Sequence, residues 1–292
     1  MTTSSRQEGA IKMGKLIKGL AFDGQVRVLA VDSTDIVSKA LEIHGLSPTA
    51  TGALGRFLTA GALMGAMLKN DTDKLTLMMN GGGPLGKMVV CSDKTATVKG
   101  YVQNPLVDIP LNNKGKLDVG GAIGTNGMMT VIKDIGLKEP YSGSVEIVSG
   151  EIGDEFAKYF MESEQTPSAV AVGVLVNNQG EVPFAGGYIV QLMPNVEDAI
   201  VDMIEGRVAN MKPVTALLKE GFTLEEIVKA VTGDEEIKIL EETNSEYKCD
   251  CSRERMERAI KALPAQEKMD IIVKEGKREI KCSFCGRVEV WK

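Results

Sequence analysis

The C-terminal end of the chain decides how the whole is read: YKCDCSRERMERAIKAL at residues 247–263, then IKCSFCGR at residues 280–287. Cys249 and Cys251 make a C-x-C pair, Cys282 and Cys285 a C-x-x-C pair, and thirty residues separate the two. Four of the five cysteines therefore lie in the last 44 of 292 residues. Two close pairs from separate segments supply the four tetrahedral thiolates that zinc takes in structural sites, at about 2.3 Å each. Coordination also holds the sulfurs as thiolates. Such a site is doubly negative, and Lys248, Arg253, Lys281 and Arg287 stand close enough in sequence to offset it. One zinc ion on Cys249, Cys251, Cys282 and Cys285 is the expected cofactor.

The residues leave two roles open for that ion. One is a permanent knuckle that only folds the tail. The other is a switch, and two details favour it. A disulfide across C-x-C closes a very small ring away from preferred geometry, so it is readily reversed. The tail of about 48 residues from Ser245 has few aromatics and little core of its own. Structural zinc supplies roughly 10–16 kcal/mol in small modules, so losing it would unfold the tail.

Working back from the cysteines, residues 234–258 carry nine acidic and five basic side chains and few large apolar ones. They read as a solvated connector. Before them, NVEDAIVDMIEGRVANM (195–211) places Val196, Ala199, Ile200, Met203, Ile204 and Val208 on one helical face. PVTALLKEG and TLEEIVKAVTG follow as two short helices, the second with a capping-box pattern of Thr223 and Glu226. From Lys15 to about Val190 the texture is β-rich and glycine-rich. QVRVLAVD, KLTLMMN, KMVVCSD, TATVKGYV, MTVIKDIG, SGSVEIVSG, SAVAVGVLVN and GGYIVQLM read as strands, several alternating as half-buried antiparallel strands do. Turn signals such as DGQ, NGGG and TNG separate them. Helices are expected at 34–44, 48–69 and 151–164. The order is not a regular βαβ alternation, so the fold class is α+β: a β-rich N-terminal domain with antiparallel sheets and packed helices, a helical linker and a small C-terminal zinc module. The expected division is 1–12 leader or tag, with Met13 as a second potential start; 13–192 core domain; 193–244 helical and charged linker; 245–292 zinc redox-switch module.

Composition fits a soluble globular protein at 43% apolar and 25% charged residues. The net charge of -6 argues against a general nucleic-acid binder, although the tail from Ser245 has twelve Lys/Arg against nine Asp/Glu. The start, MTTSSRQEGAIKMGK, has no apolar signal region, which points to the cytosol, where clustered thiols serve metal or redox chemistry. Residues 47–69 imitate a membrane span. Arg56 near the middle, Ser47 as N-cap and Pro48 at the first helical position mark instead a buried core helix whose glycines let a sheet or helix approach closely.

Other motifs fail as sites. GGGPLGKM, Gly81 to Met88, matches a phosphate loop until Met88 stands where a hydroxyl should hold Mg²⁺. It also lies between two strands, where no helix N-terminus can face a phosphate, so a glycine-rich hairpin is expected. GGAIGTNG, Gly120 to Gly127, likewise lacks the following helix of a dinucleotide site. His44, the only histidine, is expected to cap a helix or lie on the surface. Cys91 is expected to be a small buried filler. No catalytic group is assigned, and the chain is read as a non-enzyme.

With Cys-Asp-Cys-Ser-Arg-Glu-Arg at 249–255 and Cys-x-x-Cys at 282–285, the chain closely resembles the redox-regulated bacterial heat-shock chaperones, the 33-kilodalton chaperonins. KLIKGLAFDGQVR (15–27), GPLGKMVV (83–90) and EFAKYFMESEQTPSAV (155–170) resemble the same family, so the likeness spans roughly residues 14–290. The resemblance implies an ATP-independent holdase, cytoplasmic, inactive when reduced and zinc-bound. It implies that oxidation forms the disulfides Cys249–Cys251 and Cys282–Cys285, that zinc is released, and that the C-terminal region unfolds. Unfolding client proteins are then bound by a homodimer, with no nucleic acid or membrane as partner. Ile200, Met203, Ile204 and Val208 on the linker helix are the expected client-binding residues, because releasing an amphipathic helix exposes apolar surface. Two rivals come from other classes. One is a zinc-ribbon nucleic-acid module, for which stacking aromatics are scarce (Tyr247, Phe284, Trp291). The other is a thiol–disulfide oxidoreductase, for which the βαβ context is missing.

Overall fold

The computed structural model describes residues 14–262 and 279–290. The expected leader at 1–12, Met13 and Trp291 lie outside the described residues. In chain order the elements are β1 (Gly14–Ala21), β2 (Val26–Asp32), α1 (Thr34–His44), α2 (Pro48–Gly65), β3 (Lys74–Asn80), β4 (Met88–Asp93), β5 (Thr97–Val102), α3 (Val119–Ile123), β6 (Met128–Asp134) and β7 (Tyr141–Glu146). Then come α4 (Ile152–Ser163), β8 (Ser168–Leu175), β9 (Phe184–Leu192), α5 (Asp198–Asn210), α6 (Val214–Lys219), α7 (Leu224–Thr232), β10 (Lys238–Tyr247), α8 (Arg253–Ala262), β11 (Glu279–Lys281) and β12 (Val288–Val290). Ten strands form one sheet in the order β7-β6-β3-β4-β5-β10-β1-β2-β9-β8, and β11 with β12 forms a separate pair. Every ladder of the large sheet is antiparallel except the short one between β10 and β5.

Helix α2 is the hub. The Ser47 side chain accepts from the Ala50 N–H and Pro48 opens the first turn, as expected of this start. Almost every residue of α2 is buried, and both halves of the sheet contribute to the core around it, Leu16 and Leu29 from one half, Leu75, Val90 and Val98 from the other. Close approach explains its glycines: a Cβ on Gly61 would stand 2.6 Å from Val90 Cγ1, and one on Gly55 would stand 2.6 Å from Val37 Cγ1. Arg56 does not interrupt a membrane span; it pairs with Glu151 at 2.7 Å. Among the described residues no helix is long and apolar enough to cross a membrane.

A second core lies on the opposite face of the β1-β2-β9 half. Strand β2 alternates as a strand covered on both faces must: Leu29 and Val31 turn to the α2 core, while Val26, Val28 and Ala30 turn to the helices α5, α6 and α7. Those helices seat Ile200, Ile204, Val214, Leu217, Ile227, Val228 and Val231 on that face. Thr223 and Glu226 form the expected capping box, each side chain bonded to the other's backbone N–H. Thr223→Ala should therefore cost about 1 kcal/mol. The check is the denaturant midpoint together with amide exchange in α7, and unchanged exchange there would remove the cap from the energetics.

The glycine-rich segment at 81–88 is the expected hairpin between β3 and β4, and it packs against the other one. Gly83 N–H donates to Ile123 O at 2.8 Å and Leu85 N–H to Ala122 O at 3.1 Å, while Asn126 N–H donates to Gly81 O at 2.8 Å. A Cβ on Gly81 would stand 2.1 Å from Gly124 O. Backbone-to-backbone packing, and not a phosphate, requires the glycines.

In the fold, the expected connector is overturned. Residues 234–258 are not a solvated connector throughout, because Lys238–Tyr247 is strand β10, seated between β1 and β5. Composition misleads here because the strand is held by its main chain: it runs antiparallel to β1 from Gly14↔Ser245 to Leu20↔Lys238 and meets β5 in parallel at Glu246↔Thr97 and Tyr247↔Val98.

Candidate metal centre

Strand β10 delivers the first cysteine pair and the β11–β12 turn delivers the second. Tyr247 ends β10 two residues before Cys249, and Cys282 to Cys285 lie in the turn between the two short strands. The Cys282 N–H donates to Arg287 O at 2.8 Å and the Gly286 N–H to Cys282 O at 2.9 Å, which folds the turn around its two sulfurs. The four Sγ atoms converge within 4.8 Å of one another. Cys249 Sγ lies 3.8 Å from Cys282 Sγ, and Cys251 Sγ lies 3.3 Å from Cys285 Sγ. A tetrahedron with 2.3 Å metal–sulfur bonds has edges of about 3.8 Å, so the cluster has the size of a zinc–thiolate site. All four are half-buried and free of disulfides.

Electrostatics points the same way. Burial pushes the Cys249 thiol up, and pushes Cys251 up to about 11. At Cys285 burial also acts upward, but the Arg287 backbone N–H and the neighbouring thiols outweigh it and draw the thiol down. Four thiolates in this space are unfavourable without a cation among them, and a divalent ion that binds thiolate relieves the conflict. Of the cations expected to offset the charge, Arg287 is engaged here: its Nη1 donates to Cys251 O at 3.2 Å. Lys248 is paired with Glu246 and Arg253 with Glu257. Lys281 acts through space on His44.

The structure adds a docking contact between the cysteine cluster and the large sheet. Asp250, between the first two cysteines, pairs with Lys99 of β5 and with Arg255. Burial works against that carboxylate, yet the two cations hold it down at about 2. Lys99 Nζ also stands 5.3 Å above the Phe284 ring, which meets Tyr101 edge-on at 5.2 Å. The carbonyls of Gly100 and Phe284 both lie within reach of the Tyr247 hydroxyl. His44 departs from the capping or surface role: it is half-buried, with Nε2 3.0 Å from Gly100 O and 3.2 Å from the Tyr247 hydroxyl. Since a carbonyl only accepts, Nε2 carries the proton. Burial, reinforced by Lys281, lowers the His44 pKa. Sequence reading missed Lys99, Tyr101 and this role of His44 because the partners lie some 40 to 200 positions apart (for example, Gly100 and Tyr247 are 147 apart). The available signal was the sole histidine and an aromatic placed two residues before a ligand.

The remaining candidates lie elsewhere. Cys91 is half-buried on β4, with Thr76 Oγ1 3.7 Å from its sulfur, and stands outside the cluster. Ile200 and Ile204 are buried in the second core at 8% and 4% exposure. Val208 packs on the same core, Met203 is half-buried and Ala199 is exposed.

Comparison with known proteins adds the following. The family model described as "Hsp33 protein" matches residues 14–290. A 33 kDa chaperonin of Caldanaerobacter subterraneus is 50% identical over 272 residues, covering 93% of this chain and 92% of that protein. One from Clostridium botulinum is 48% identical over 278 residues, covering 95% and 94%. The crystal structure of the 33 kDa chaperonin from Thermotoga maritima superposes with a TM-score of 0.86 at 39% identity, covering 96% of this chain and 94% of that one.

Proposed function

Because the chain belongs to the Hsp33 family of heat-shock chaperones, which is not an enzyme family, we propose that it is a redox-regulated, ATP-independent holdase. The observation that carries this reading is the convergence of four free sulfurs within 4.8 Å at the end of a strand of the main sheet. In the reduced protein Cys249, Cys251, Cys282 and Cys285 hold one Zn²⁺, and residues 245–292 act as the switch. Bound there, zinc keeps the sulfurs deprotonated and ties two distant segments together.

Peroxide is the oxidant. One thiolate attacks the O–O bond to give a sulfenic acid and hydroxide; its partner then displaces the second oxygen as hydroxide, and two protons complete two waters per disulfide. Two peroxides thus convert four thiolates into Cys249–Cys251 and Cys282–Cys285. The pairing matters. The contacts at 3.8 and 3.3 Å, Cys249–Cys282 and Cys251–Cys285, lie across the two segments, and bonds there would staple the segments together. Bonds between sequence neighbours consume all four ligands and leave nothing joining the end of β10 to the β11–β12 turn. The module then unfolds, the α5–α7 helices lift from the sheet, and a homodimer captures unfolding clients in the cytoplasm on surfaces that include Ile200, Met203, Ile204 and Val208.

Zinc content and thiol count before and after peroxide, alongside suppression of aggregation of a denatured test protein, test the reading. Zinc retained while activity rises would sink it. Within the oxidation, Cys282–Cys285 should form before Cys249–Cys251, since the larger ring closes with less strain. Partial oxidation, alkylation and peptide mapping read the order, and the opposite order would overturn it. A nucleic-acid role has less support, because Lys99, Lys248, Arg253 and Arg255 are already ion-paired.

A further inference from the structure

Strand β10 sits where its composition would not put it. It is interior to the sheet, between β1 and β5, yet Ser245 is its only buried side chain. Its large apolar residues are Ile239, Leu240 and Tyr247, and Leu240 is 53% exposed. Interior strands ordinarily hold their place by burying side chains. This one is held by its ladder to β1, which is irregular at Lys18/Gly19, and by a two-residue contact with β5. Its side chains add the Glu241–Lys18 and Glu242–Lys15 ion pairs and the Ser245 hydroxyl, which donates to Ala96 O at 2.8 Å, and it is attached also at its ends. Ile237 and Ile239 belong to the core under α5–α7, and Tyr247 is gripped beside the cysteine cluster. The two elements that oxidation releases are therefore the two flanks of β10.

We propose that β10 leaves the sheet with them, and that the vacated slot is a client-binding site, taking an extended segment of an unfolding protein as a replacement strand antiparallel to β1. This rests on the redox reading above. An open sheet edge pairs readily with any extended chain. Main-chain hydrogen bonds carry such binding, so it tolerates many sequences, while side-chain pockets set a preference. The preference is legible here. Departure of β10 strips Lys15 of Glu242 and Lys18 of Glu241. Release of the helices also uncovers Ile17 on β1 and Val26 and Val28 on β2, an apolar face beside the slot. The slot favours segments that mix acidic and apolar residues, as KILEETNSEY of β10 does.

The probe is a fluorescent, end-capped peptide of Lys238–Tyr247, added to the full-length protein. It should bind the oxidised protein at least tenfold more tightly than the reduced one, and an unfolded client should displace it. A control peptide with Glu242→Pro and Thr243→Pro should bind at least tenfold more weakly, since two adjacent prolines remove an N–H facing β1 whichever way the ladder alternates. Zinc release and aggregation suppression are read on the same samples. If the oxidised protein sheds zinc and suppresses aggregation but excludes the peptide, because β10 stays or because a second copy's β10 fills the gap, the slot is refuted alone. Equal binding of the proline control refutes it too. If oxidation yields neither zinc release nor client capture, the redox reading falls and the slot with it.

Discussion

Replacing Cys282 by serine should leave the reduced protein without its zinc and its tail without a fold. Structural zinc contributes roughly 10–16 kcal/mol to modules of this kind, and a neutral hydroxyl is a poor substitute for one of four thiolates. Nothing in the local packing compensates. β11 and β12 have three residues each, and among residues 281–289 no side chain is buried. A hairpin without a core is marginal in water. Elemental analysis should show zinc binding lost by orders of magnitude in Cys282→Ser, with rapid proteolysis after Tyr247. Cys91→Ser, on β4 outside the cluster, should keep full zinc. Full occupancy in Cys282→Ser would refute the four-cysteine assignment.

Ile204→Lys should give a protein that suppresses aggregation without any oxidant. Ile204 is 4% exposed in the core formed with Val28, Tyr188 and Ile227. Burying an unpaired ammonium there costs several kcal/mol, comparable with what a large buried aliphatic side chain contributes, about 1.5–3 kcal/mol, and more. The helices α5–α7 have only one face to lose, so they should detach while the α2 core stands. The zinc cluster docks elsewhere, through Lys99, Tyr101 and His44, so zinc should remain bound. Proteolysis confined to 195–233, normal zinc content and activity in reductant are the expected results. A variant that folds, keeps zinc and stays inactive until oxidised would mean that these helices are not the gate, which would then lie in the cysteine module.

These two sites differ in how they could be known. The cysteines were legible because metal chemistry imposes a pattern on the chain itself: paired thiols, a gap, paired thiols. Helices α2 and α7 were legible for a similar reason, since Ser47–Pro48 and Thr223–Glu226 satisfy local N–H groups with local side chains. Strands β2 to β9 announced themselves by apolar runs between turn signals, several of them alternating because they have one face to bury. Only the tertiary structure could place β10, whose polar residues signal solvent and whose ladder partners lie more than 200 residues away in β1. Its state is set by the unpaired backbone of its neighbours more than by its own side chains, and main-chain hydrogen bonding is the one interaction to which every residue but proline contributes alike. The grip of Tyr247, His44, Lys99 and Phe284 on one another was hidden for the same reason: each residue is ordinary alone, and only folding brings them into contact.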